Sequence, residues 1–109
     1  MTDVYRMTFE AELRSRDASG LGADAVTDLI ERTLEELDAL GYLPSVSTNG
    51  VGTVVNLTIE IDVQADDELD ALALTIVAVK TALHAAHIGT ERMVIPTNVR
   101  TTVAMLTAA

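Results

Sequence analysis

Two strictly alternating segments, Val4 to Leu13 and Thr53 to Val63, each lead into an amphipathic or apolar helix and then a further strand. That order, βαββαβ, predicts an α+β fold. Tyr5, Met7, Phe9, Ala11 and Leu13 point one way in the first segment, while Arg6, Thr8, Glu10 and Glu12 point the other. In the second, Val55, Leu57, Ile59, Ile61 and Val63 oppose Val54, Asn56, Thr58, Glu60 and Asp62. A period of two over such lengths means a half-buried strand, one face apolar and one wet. The chain of 109 residues is one domain by length, and 49% apolar content suffices for one core.

The turn-rich stretch Arg14 to Gly22 separates the first strand from a helix over Ala23 to Leu40. Asp24 is the expected N-cap. Val26, Leu29, Ile30, Thr33, Leu34, Leu37 and Leu40 recur at three- and four-residue spacing and form one stripe; Asp28, Glu31, Arg32, Glu35, Glu36 and Asp38 cover the opposite side. Gly41 is placed to end the helix in a left-handed conformation, with Tyr42 folding back on the last turn. Pro44 then suits the start of a short edge strand, Ser45 to Thr48, and Asn49-Gly50-Val51-Gly52 signals a hairpin turn.

Asp66, Asp67 and Glu68 place carboxylates where a helix dipole favours them, and a second helix is expected from Asp67 to His87. Its sheet-facing stripe is read as Leu69, Leu72, Ile76, Val79, Leu83 and Ala86. Met93-Val94-Ile95-Pro96 either begins the last strand or connects to it, because a proline interrupts a ladder. Asn98 to Leu106 is the final strand. Two interleaved strand–helix–strand units give a ferredoxin-like sandwich: four antiparallel strands in the order 4-1-3-2, both helices on one face. The two best-patterned strands, the first and third, then lie at the centre.

A net charge of −10, with seventeen acidic against seven scattered basic residues, provides no basic patch for nucleic acid or for an anionic membrane surface. Asp70, Lys80, His84 and His87 interrupt the longest apolar stretch, Leu69 to Ile88, so a membrane span is not expected. Without cysteine there are no disulfides, thiolate metal sites or cysteine nucleophiles. That absence and an N-terminus without a signal-peptide pattern fit a reducing cytoplasm.

No motif assigns a catalytic, cofactor-binding or metal-binding residue. His84 and His87, three apart, lie about 60° from each other around a helix and lack a third ligand nearer than Glu91. The loop Arg14 to Gly22 joins two arginines and two serines to a helix start where an anion could rest. Glu10, Glu12, Glu60 and Asp62 fall on the outward faces of the central strands beside Arg6 and Arg100, and read as a solvated or interfacial charge network. The second helix is apolar on both sides, Ala71, Leu74, Val77, Ala78, Thr81, Ala85 and Ile88 lying opposite the sheet-facing stripe. Such a helix asks for cover on its outer side, by the C-terminal segment or by a partner. A homo-oligomer, in the first instance a dimer, through this helix or through the open sheet face, is therefore expected.

The unit Thr53-Val-Val-Asn-Leu-Thr-Ile-Glu-Ile-Asp-Val63 followed by Ala65-Asp-Asp-Glu-Leu-Asp-Ala-Leu72 resembles small ferredoxin-like domains of actinobacterial type with no assigned activity. Asp17-Ala18-Ser19-Gly20-Leu21 is loosely similar to the glycine-bearing loop of ACT regulatory domains. It departs from them in lacking a proline before the glycine and in the inserted Gly22-Ala23-Asp24. The first resemblance implies a non-enzymatic structural or interaction domain. The second implies a regulatory module binding a small ligand at the loop before the first helix.

Overall fold

A computed structural model describes residues 3–15, 22–50, 52–85 and 94–107. Its elements run β1 (Asp3–Ser15), α1 (Ala23–Ala39), β2 (Ser45–Asn49), β3 (Val54–Ala65), α2 (Glu68–Ala85) and β4 (Val94–Thr107). The strands form one antiparallel sheet in the order β2-β3-β1-β4, the ferredoxin-like arrangement.

The alternating patterns set the register. Tyr5, Met7, Phe9, Ala11 and Leu13 of β1 stand opposite Val63, Ile61, Ile59, Leu57 and Val55 of β3. All ten are buried on the helix-bearing face, where Val26, Leu29 and Leu37 of α1 join the same core. Burial of one side chain of this size is worth about 1.5–3 kcal/mol. A register slip of one residue would turn the whole set to the solvent.

Helix α1 ends as the sequence predicts. Gly41 adopts φ 93°, its N–H donates to the Asp38 carbonyl at 2.9 Å, and the Tyr42 N–H donates to the Leu37 carbonyl at 3.2 Å. These two bonds make a Schellman motif that satisfies the last carbonyls of the helix. At the other end the expectation fails. Gly22, not Asp24, is the N-cap residue; its carbonyl accepts from the Val26 N–H, and Asp24 lies within the first turn. There its charge faces the dipole but makes no cap bond. Helix α2 is capped by side chain: Asp67 Oδ1 accepts from the Asp70 N–H at 2.8 Å.

Two further expectations are corrected. The last strand does not begin at Asn98 but at Val94, pairing through Pro96, which sits opposite Leu13. A proline is tolerated because β4 is the edge strand of the described sheet, with no described strand on its other side. A bulge follows it: Glu10 pairs with Arg100 and Glu12 with Thr97, so two β4 residues oppose one on β1.

The second correction concerns α2. Ala71, Thr75, Ala78, Val79, Ala82 and Leu83 are its buried residues, whereas Leu69 and Ile76, read as sheet-facing, are 76% and 48% exposed. The helix is turned by roughly a quarter of a revolution from the orientation that the largest side chains suggest. Small residues let it settle close on β3 and β1, and the Thr75 hydroxyl, buried, donates to the Ala71 carbonyl at 2.8 Å. Thr33 does the same in α1, donating to the Leu29 carbonyl.

Candidate interaction surface

The rotation of α2 decides what the protein shows to solvent. Leu69, Leu74, Ile76 and Val77 are all exposed, and no carboxylate interrupts α2 after Asp70; Lys80 and His84 are its remaining charged or titratable groups. Two flanks can be told apart. Ala73, Leu74, Val77 and Thr81 line a groove of about 290 Å3 with Leu40 and Tyr42 from the end of α1. By helical spacing Leu69 and Ile76 lie on the opposite flank, away from the α1 side of the helix. The described part of the C-terminal segment does not cover them: it pairs with β1 as β4. On that side Val103 is partly buried against the core, while Val99 and Met105 are more than half exposed.

The open face of the sheet is of another character. Register places Arg6 opposite Asp62, where Nε–Oδ1 is 3.0 Å and Nη2–Oδ2 3.4 Å. That hydrogen bond and charge raise the Arg6 guanidinium pKa further above its ordinary value. Arg100 faces Glu10 at 3.5 Å, and Arg14 reaches Glu12 at 3.1 Å. Glu60 stands between Thr8 and Ser45. The charged residues that the sequence put on this face share it, Arg6 with Asp62 and Arg100 with Glu10 as ion pairs across strands and Glu12 paired along β1 with Arg14. Pairs of this exposure contribute little to stability, and the threonines, asparagines and serines between them give no apolar patch.

Of the other sequence candidates, His84 sits exposed in the last turn of α2, but His87 and Glu91 lie outside the described residues. So does most of the loop Arg14 to Gly22, residues 16–21. Among the described residues no three histidines, aspartates or glutamates come together as a metal-binding group. The groove between the helices holds no histidine or carboxylate. No described helix is long and apolar enough to cross a membrane.

Side-chain size alone places Leu69 and Ile76 inward, yet both are exposed. The signal that marks the true buried side is the set Ala71, Thr75, Ala78 and Ala82, small residues at spacings of four, three and four.

No family model and no curated protein matches the chain. Among solved structures it is similar to "De novo designed protein Foldit4", at 18% identity and a TM-score of 0.43, over 95% of this chain and 99% of that one. A likeness of that degree carries no functional weight, so the surface itself is the ground for a functional reading.

Proposed function

We propose that this chain is a non-enzymatic, self-associating structural or interaction domain, working in the cytoplasm, and that α2 rather than the open sheet face is its contact surface. One observation carries the reading: α2 turns alanine and threonine to its own sheet and leaves Leu69, Leu74, Ile76 and Val77 outside. Large apolar side chains left exposed along one helix, on both of its flanks, are the kind of surface that takes a partner. The charged, threonine-rich open sheet face offers no comparable desolvation gain. The lack of cysteine suits a reducing compartment.

Light scattering at tens of micromolar tests this. The expected result is a dimer mass for the wild type and a monomer mass for Leu69→Glu/Ile76→Glu, with the melting transition retained. A wild-type monomer would sink the reading. A rise in melting temperature with one amino acid in a panel would instead promote a ligand-binding regulatory module.

A further inference from the structure

We propose that β4 is the strand through which two copies join, edge to edge and antiparallel, into one continuous eight-stranded sheet. This deepens the self-association reading and rests on it.

The sheet has two outer strands, and they are unlike. β2 is five residues long and preceded by Pro44. β4 has fourteen residues, and its bulges lie at the ends of a regular run, Arg100 to Met105, that pairs continuously with Glu10 to Tyr5. Along that run no described strand pairs with the outer side, whose backbone donors and acceptors are set between side chains that include no proline and no acidic residue. Arg100 is the single charge, and its guanidinium is already directed at Glu10. Natural edge strands are usually blunted by charge, proline, bulges or brevity. This stretch of β4 carries almost none of those devices.

Charge points to a second copy as the occupant. Beyond Asp70 the chain holds one acidic residue, Glu91, against Lys80, Arg92 and Arg100; up to Asp70 it holds sixteen against four. In a chain of net charge −10, α2 and β4 form the side on which another acidic copy can approach with least repulsion. The pairing is also self-complementary. A twofold axis through Val103, perpendicular to the sheet, sets Thr102 opposite Ala104 and Thr101 opposite Met105, and keeps Arg100 away from its counterpart. The same axis leaves both pairs of helices on one side of the joined sheet. It brings the Leu69 and Ile76 flanks of the two α2 helices to face each other across the β4 pair. A standard interface needs about 800 Å2 from each partner, and the ladder, these flanks, Met105 and Leu106 are available for it.

The test is a charge swap on β4. Thr102 and Ala104 are exposed on the open face, so substitution there spares the core. Thr102→Lys/Ala104→Lys places like charges opposite one another whether the axis passes through residue 102 or 103, and the expected result is a monomer with an unchanged circular dichroism spectrum. Mixing it with Thr102→Glu/Ala104→Glu is expected to restore the dimer mass. In the wild type, amide hydrogen exchange by NMR is expected to show protection at every residue from Arg100 to Met105, not at alternate ones. This last measurement stands even if a variant fails to fold. A wild-type dimer whose outward β4 amides exchange freely, or a folded lysine variant that stays dimeric, overturns the β4 assignment while self-association stands. A monomeric wild type overturns both.

Discussion

Single residues carry two of the fold's sharpest constraints. Gly41 sits at φ 93°, in a region that costs an L side chain about 1–2 kcal/mol, although a Cβ there would meet no atom within 4 Å. Gly41→Ala is therefore expected to lower stability by about 1–2 kcal/mol through backbone strain alone, and Gly41→Asn by less, read as the midpoint shift in urea unfolding. Tyr5 is the second case. Its ring is buried under α2, and burial, followed by the charge and hydrogen bond of Asp3 at 3.3 Å, raises its phenol pKa above the ordinary 10.0. A raised folded-state pKa means that the native state favours the protonated phenol. The associated stability is complete below pH 10.0 and is lost as pH rises through the folded value. Melting temperature should fall as pH rises past 10.0, and less steeply for Tyr5→Phe, which has no proton to lose.

At the scale of the element, α2 is the informative case. Its leucines and isoleucine recur at helical spacing and so look like the buried stripe, yet the helix seats itself on Ala71, Thr75, Ala78 and Ala82. Close approach to the sheet brings Val79 and Leu83 into the core and excludes Ile76. Ala78→Leu should then overpack the helix–sheet contact and cost about 1–3 kcal/mol. Ile76→Gln should change monomer stability by no more than about 0.5 kcal/mol, both read by urea unfolding at low protein concentration. The opposite ranking would return Ile76 to the core. The strands behaved otherwise: β1 and β3 were legible residue by residue because a pleated strand has only two faces, and a helix has many orientations to choose from. The start of β4 was not legible, because only its position at the edge lets Pro96 lie within a ladder.

For the whole molecule, the governing fact is the uneven charge. The acidic residues crowd α1, the open sheet face and the start of α2, and leave the rest of α2 and β4 nearly free of them. Association on that side still works against the field of a chain of net charge −10. Salt should therefore strengthen it: sedimentation velocity is expected to show a larger dimer fraction at about 0.5 M than at about 0.05 M NaCl, as the screening length shortens. An unchanged or smaller fraction would mean that acidic repulsion does not limit the contact. What the sequence by itself determined is the element order, the faces of β1 and β3 and the Gly41 stop, each from local periodicity or backbone chemistry, and the strand order, from the interleaving of two strand–helix–strand units. Which flank of α2 meets the sheet, where the last strand begins, and which charged residues pair were decided by tertiary structure. Those depend on how closely two packed layers can approach and on register between strands far apart in the chain, and no local pattern encodes either.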